Sequence, residues 1–421
     1  MIEMKDSGIE WIGEIPAHWA VKRLKDVSIL NPSYNGCDLE GDVSFVPMES
    51  LRCGQIDLQE ISFSEAKGKY TFFAEEDLLV AKVTPCFENG NIALAKNLKQ
   101  GIGFGSSEIF VLRCIGVLNK YLFYYSFSNE FQGRACSTMC GVGGLKRISP
   151  LFMRTHQLAI PPLAEQQTIA DYLDKKTAEI DEQITALEKK SDAYQRLKRS
   201  LISEVVTRGL NPTAELKDSG IEWIGEIPEH WEIDRVKSFA KTIKGKSCDY
   251  LSDPTTDCYQ VLSVESLRQD ECQFYDYVKV DDDSQICSPD DIVVIWDGAG
   301  VGEFLRAKNG ALSSTIAKVK FTSKKVLPKY FWYWRYKIEY RLKSIPTGMG
   351  IPHLNPNLLN NYKIAIPPLV EQQAIADYLD KKTAEIDSNI SAISSKIDAY
   401  KRLKQSLIDE VVTGKRRIEK A

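Results

Sequence analysis

Several things are scarce in this chain. Ten cysteines among 421 residues is a density far below the roughly 8–10% of a disulfide scaffold. No two of them form a Cys-x-x-Cys pair, Cys136 and Cys140 being the nearest neighbours, so a structural zinc site has no ligand pair to start from. Reduced, buried thiols are the expectation. The four histidines, His18, His156, His230 and His353, are scattered and define no Ser/His/Asp set. No stretch approaches the roughly 20 apolar residues of a membrane span. Residues 1–14 carry no apolar run behind a basic patch, so no secretory signal is expected and the expected location is the cytoplasm. Neither sign of charge dominates: 54 basic against 58 acidic residues leave −4. That balance gives no support to a strongly basic nucleic-acid protein. The remaining composition, 43% hydrophobic and 27% charged, is that of an ordinary globular chain, and its length suggests about three domains.

What is present is a duplication. Residues 5–19 and 217–231 differ only at Ala17 against Glu229. Residues 160–181, IPPLAEQQTIADYLDKKTAEID, and 366–387 differ at two of 22 positions, and the similarity continues more weakly to Val206 and Val412. The variable parts, 20–158 and 232–364, align faintly: Glu49-Ser50-Leu51-Arg52 with Glu265-Ser266-Leu267-Arg268, and Asp77-Leu78-Leu79-Val80 with Asp291-Ile292-Val293-Val294. Near-identical connecting pieces thus hold two diverged modules of one shape. The implied domains are 1–159, a helix over 160–210, 211–365, and a helix over 366–421.

Prolines 161–162 and 367–368 suit the first turn of a helix, and Glu165 and Glu371 then fall near its positive end. Apolar residues follow at alternating four and three spacing: Leu173, Ile180, Ile184, Leu187, Tyr194, Leu197, Leu201 and Val205, then Leu379, Ile386, Ile390, Ile393, Ile397, Tyr400, Leu403, Leu407 and Val411. Sustained over several heptads, this is a coiled-coil seam. Gly209 and Gly414 mark the ends. Each helix would run about 45 residues, or roughly 65–70 Å. One helix alone would expose its stripe, so the expectation is an antiparallel pair with a module at each end and a pseudo-two-fold between them. The alternative is that each helix packs only on its own module.

Within the modules, apolar runs such as 77–83, 109–112, 292–296 and 316–319 read as strands, and Glu88–Asn91 and Asp297–Gly300 as hairpin loops at matching strand ends. Aromatic stretches follow, Tyr121–Phe127 and Tyr330–Tyr340, and suggest a helix under the sheet. The run KYFWYWRYK at 329–337 suits either a single-strand stacking platform or a core helix whose charges reach water. Core is favoured, because the first module keeps the aromatics with few of the charges. Each module then enters a glycine-rich loop, Gly141–Arg147 or Thr347–His353. The fold class is therefore α+β: two tandem mixed α/β modules with two long helices.

No catalytic motif survives inspection. Asn31-Pro32-Ser33-Tyr34 is close to the Asn-Pro-Pro-Tyr loop of adenine methyltransferases, but has the wrong third residue and no counterpart in the second half. Gly245-Lys246-Ser247 needs a glycine at 240 to be a P-loop, and that position is Ala240. The chain is expected to bind and not to catalyse.

The duplicated KDSGIEWIGEIP-x-HW segment and the IPPL-x-EQQ-x-IADYLDKKTAEID helix start resemble the specificity subunit of type I restriction-modification enzymes, over the whole chain. The stretch Lys82-Val83-Thr84-Pro85-Cys86-Phe87-Glu88-Asn89-Gly90 is similar to one in the family's recognition domains. The resemblance implies that each module reads half of a split, asymmetric double-stranded DNA target. The helices would set the spacer. Two methyltransferase subunits bringing S-adenosylmethionine, and two restriction-translocase subunits using ATP and Mg, would dock on the chain, which itself holds no cofactor. Base readers are expected on loops: Lys82, Asn89, Asn91, Gly143, Lys146 and Arg147 in the first module, and Asp297, Thr347, Gly348, Gly350 and His353 in the second. A non-catalytic coiled-coil scaffold bridging protein partners is the alternative function. The modules hold 15 basic against 14 acidic residues over 20–158, and 19 against 17 over 232–364, so weak DNA binding by this chain alone is expected.

Overall fold

Leu78–Ala81 and Ile292–Ile295 contain no polar residue, and each is a strand with all four residues buried. A strand covered on both faces reads as an unbroken apolar run, not as an alternation. Each lies in a four-stranded antiparallel sheet. In space the first sheet runs Ile92–Leu94, Leu78–Ala81, Ile109–Cys114, Ser28–Leu30. The second runs Phe304–Arg306, Ile292–Ile295, Ile316–Phe321, Ala240–Lys244. Leu78 faces Leu112 in one, and Ile292 faces Val319 in the other. A second sheet accompanies each. One is ordered Gln59–Ser62, Asp42–Val46, Ile102–Gly105, Thr71–Ala74, the other Tyr277–Lys279, Cys258–Leu262, Gly310–Leu312, Ile286–Cys287. In both, the two central strands are parallel. The faint alignment of the variable parts is therefore a repeat of one α+β fold.

The computed structural model describes residues 3–142, 144–247, 251–254, 256, 258–269, 276–344 and 352–418. The chain divides into two units, Met1–Glu188 with Ser394–Ala421, and Lys189–Ile393. Aromatic helices back the sheets: α1 (Asn119–Tyr125) buries Tyr121, Leu122, Tyr124 and Tyr125, and α3 (Pro328–Ser344) buries Tyr330, Phe331, Tyr333, Trp334, Ile338 and Leu342. The KYFWYWRYK run is core, as the comparison of the two modules suggested. The long helices are α2 (Leu163–Arg208) and α4 (Leu369–Val412). Among the described residues no helix is long and apolar enough to cross a membrane. The expectation of buried thiols holds only in part, since Cys287 is buried but Cys37, Cys53 and Cys140 are exposed.

Each unit is completed by the end of the helix that starts in the other repeat. In the first, Asp181 of α2 pairs with Lys404 of α4 at 2.6 Å. In the second, Lys198 pairs with Asp387, also at 2.6 Å. These are the same two repeat positions with the helices exchanged. Inside each unit the segments run antiparallel: 177–184 lies against 401–408, and 208–211 against 371–375. A buried tyrosine fixes the arrangement. The Tyr121 hydroxyl reaches Ala159 O (2.9 Å) and Val412 O (3.0 Å), and the Tyr330 hydroxyl reaches Ala365 O (2.8 Å) and Val206 O (3.2 Å). One proton serves two helix-end or strand carbonyls in a buried place. Tyr330→Phe is therefore expected to cost about 1–3 kcal/mol, read as a lower urea midpoint with an unchanged m-value.

The near-identical pieces form this frame. His18 donates to Glu165 and His230 to Glu371, both at 2.7 Å. Gln166 accepts from Leu118 N–H (2.7 Å) and donates to Pro161 O (2.8 Å). Gln372 does the same with Leu327 N–H (2.8 Å) and Pro367 O (2.8 Å). Glu and Gln of the EQQ motif thus tie the leading segment and the module to the helix start. Gly209 and Gly414 take φ of 74° and 77°, and a Cβ would come within 3.0 Å of Trp231 or 2.7 Å of Pro16. Only glycine combines that backbone with so close an approach.

The seam needs correction at its ends. Leu173, Ile180 and Leu407 are buried in the first unit and Leu379, Ile386 and Ile393 in the second. Ile184, Leu187, Tyr194, Leu201, Ile390 and Tyr400 are half-buried. Leu197 and Leu403, however, are each 52% exposed, while Ile202 and Ile408 are buried. A helix of 3.6 residues per turn drifts against a strict heptad, and near their ends both helices turn a neighbouring row inward against the modules.

Candidate nucleic-acid interface

In each module the loop after the buried central strand meets the glycine-rich loop some sixty residues later. Leu78–Ala81 leads into 82–91, which returns as Ile92–Leu94. Cys140–Val142 and Leu145–Arg147 form an exposed hairpin. The two are joined by backbone and hydroxyl bonds. Thr84 N–H donates to Lys146 O (3.0 Å), Lys146 N–H to Thr84 Oγ1 (2.9 Å), and Thr84 Oγ1 to Gly144 O (2.9 Å). In the second module Gly298 N–H donates to Pro352 O (3.0 Å), and Leu354 N–H to Trp296 O (2.8 Å). His353 Nδ1 lies 2.6 Å from Asp297 Oδ1. Loops that are distant in sequence therefore make one surface in each unit, at equivalent places in the repeat.

The side chains expected to read bases divide. Asn89 and Lys146 are exposed, and Lys146 has no side-chain partner among the described residues. Arg147 is held by Glu108 through a two-pronged contact (2.7 and 2.9 Å), and the guanidinium keeps the Glu108 carboxyl below its usual range. Lys82 donates to Ser107 O (2.5 Å) and sits 4.7 Å from the Phe110 ring centroid; burial lowers its pKa. Asn91 is buried, with 7% exposed. Its side chain lies inside the module and presents nothing to a ligand, which corrects the expectation for that residue. Asp297 binds Lys244 (2.8 Å) as well as His353. Burial works to raise its pKa, but the two bonds outweigh it and hold the carboxyl below its ordinary value. His353 is half exposed on this surface. Gly143, Thr347, Gly348 and Gly350 lie outside the described residues.

Reading the sequence missed the apolar tip. Val142 is 89% exposed and Leu145 45%. Apolar side chains on an exposed hairpin, beside a free lysine, suit contact with a thymine methyl in a groove. The signal was available: two aliphatic residues inside a glycine-rich loop have no core to enter. The rejected motifs have structural work instead. Asn31 takes φ of 50°. Its Oδ1 accepts from Val111 N–H (2.9 Å). Tyr34 donates to Cys37 O (2.6 Å) and meets Phe63 and Phe72 edge-on. A Cβ at Gly245 would fall 2.0 Å from Ser313 O, so that glycine serves a close backbone crossing.

The sequence matches the family described as type I restriction modification DNA specificity domain twice, over 16–189 and 228–398. It is 34% identical over 188 residues to the type I restriction enzyme MjaVIII specificity subunit of Methanocaldococcus jannaschii, covering 44% of this chain and 43% of that protein. To the EcoAI specificity subunit of Escherichia coli it is 31% identical over 228 residues, covering 52% and 37%. The chain thus spans less than half the length of these two curated relatives. In fold it is similar to a chain from a study of the structural basis of complex assembly and conformational transition of the type I R-M system, with a TM-score of 0.73, 17% identity and coverage of 94% and 98%. With the family matched in both halves of the duplication, the chain belongs to the type I restriction-modification DNA specificity family.

Proposed function

We propose that this chain is the DNA sequence-specificity subunit of a type I restriction-modification system, and that it reads an asymmetric bipartite target. One observation carries the reading: a duplicated frame, nearly identical in sequence, presents the same pair of joined loops twice with different side chains. A protein that must recognise two unlike half-sites needs this combination. Candidate readers are Asn89, Lys146 and the Val142–Leu145 tip in one module, and His353 with Asp297 in the other. The residues 143, 347, 348 and 350 of the glycine-rich loops join them as candidates.

The subunit contributes recognition, and its partners contribute the chemistry. Two methyltransferase subunits dock on the long helices and bring S-adenosylmethionine, and two restriction subunits bring ATP and Mg. The spacer between half-sites is set by the helices. Half-sites read from one face of B-DNA lie about 34 Å apart, one helical turn. Near-neutral modules neutralise few phosphates, so tight binding arises in the complex. Inserting four residues at 211–214 is expected to lengthen the spacer and keep both half-sites, as read by methylation mapping. A changed half-site with an unchanged spacer contradicts the ruler. Gel-shift titration of the chain alone and with its cognate methyltransferase tests the rest: sequence-selective binding should need both. If the complex forms but shows no sequence selectivity, the scaffold alternative replaces this reading.

A further inference from the structure

Two arginines of the second unit share one aromatic ring. Arg306 closes the strand Phe304–Arg306, and its Cζ lies 4.3 Å from the Trp332 centroid. Arg335, one turn along α3, lies 3.6 Å from the same ring and 4.4 Å from Tyr336. Among the described residues the Arg306 side chain makes no hydrogen bond or ion pair. Arg335 makes one side-chain hydrogen bond, from Nη2 to the Tyr336 hydroxyl (2.6 Å), and its Nε is buried without a partner. Burial, then the neighbouring charge of Arg335, depresses the Arg306 pKa; Asp380 and Asp290 act on it without pairing. Asp380 is itself engaged by the Tyr333 hydroxyl.

Two half-buried guanidiniums on one ring, each acting on the other's charge, are unfavourable unless an anion offsets them. The ring offsets a part of this. A carboxylate would supply what is missing, since the guanidinium fork matches its two oxygens. The position argues for a protein and against nucleic acid. Arg306 pairs in register with Ile292, at the end of the hairpin away from the 296–303 loop. Trp332 lies in the early part of α3, and His353 follows the other end of that helix. The cluster therefore sits away from the reading loops, where α3 meets α4 through Tyr333 and Asp380. The first unit differs. Aligning Tyr121 with Tyr330 places Phe123, Ser126 and Phe127 at the positions of Trp332, Arg335 and Tyr336. Phe123 and Phe127 line a groove of about 510 Å³ beside Thr177, Ile184 and Lys401.

We propose that Arg306, Arg335 and Trp332 form a docking point for an acidic side chain of a methyltransferase subunit, so that the two copies are held by different chemistry. This rests on the docking of methyltransferase subunits proposed above. The test uses the full chain with its cognate methyltransferase subunit, counting bound copies by native mass spectrometry and measuring affinity by sedimentation at low and high salt. The wild-type chain should bind two copies, one of them released first by salt. In the Arg306→Gln/Arg335→Gln variant one copy should bind about tenfold to a hundredfold more weakly, with the other copy unchanged, and Arg335→Lys should fall between. Because the Arg306 side chain has no hydrogen bond to lose, Arg306→Gln alone keeps the fold and should show the same direction with a smaller loss. Wild-type binding of both copies by a folded double variant, or loss of non-specific duplex affinity with both copies retained, overturns the proposal; the second outcome marks a phosphate site. A wild-type chain that binds no methyltransferase subunit overturns the underlying reading instead.

Discussion

Replacing residues 232–364 by the corresponding module of another family member is expected to change one half of the methylated sequence completely and leave the other half intact. The physical basis lies in where contacts fall. The first unit closes on itself through Tyr121, Gln166 and the Asp181–Lys404 pair, and none of these residues belongs to the exchanged segment. The second module meets the frame through Tyr330, Tyr333 and the Leu327 amide, so a replacement must supply equivalents at those positions. Base readout by a few side chains is worth about 1–3 kcal/mol per base pair, and replacing all of them abolishes the old half-site. Methylation mapping of the chimera checks this. A chimera in which both halves change means the modules do not read independently.

Acidification is expected to weaken the first unit by about 3 kcal/mol through one residue. His156 is buried, its Nε2 is 2.9 Å from the Tyr125 hydroxyl, and the rings of Phe131 and Phe152 surround it. Burial, helped by Arg134, lowers its pKa to about 4. An unfolded imidazole titrates near 6.5. Between those two values the unfolded chain takes up a proton that the folded chain refuses. Stability is therefore full above about pH 6.5 and falls as the pH drops towards 4, by ~1.4 kcal/mol per pH unit. The repeat position in the second unit is Tyr362, which has no such transition. Urea titrations at pH 7, 5.5 and 4 on the wild-type chain and on His156→Gln isolate the effect. The variant should be weaker at pH 7 by about 1–3 kcal/mol and lose less on acidification. Parallel pH dependence of the two proteins rules out this role for His156.

Most of the architecture was legible because the duplication did the work of an alignment. Pieces identical in two copies proved to be the frame, and pieces diverged in two copies proved to carry the loops. The apolar runs 78–81 and 292–295 and the buried aromatics of α1 and α3 were readable for the same reason: their side chains have nowhere else to go. The helix ends were read less well. Heptad counting put Leu197 and Leu403 inside, whereas Ile202 and Ile408 are buried, because a module and not only a second helix covers the last turns. The site was read at the level of loops and less well at the level of side chains. Glycine spacing located the loop at 141–147 and the position of Pro352-His353, but nothing in the sequence says that Glu108 engages Arg147, or that Asn91 turns inward. Those facts depend on partners brought together from distant strands.

Two unlike modules reading two unlike half-sites of one DNA target should leave a distinct methylation pattern. Single-molecule sequencing of DNA from cells carrying this chain and its active methyltransferase reads that pattern. Methylated adenines are expected in one split motif, with two different half-sites and a fixed unspecified spacer, and none of that methylation when the chain is deleted. Methylation of a continuous or symmetric motif, or methylation unaffected by the deletion, contradicts such reading by two modules.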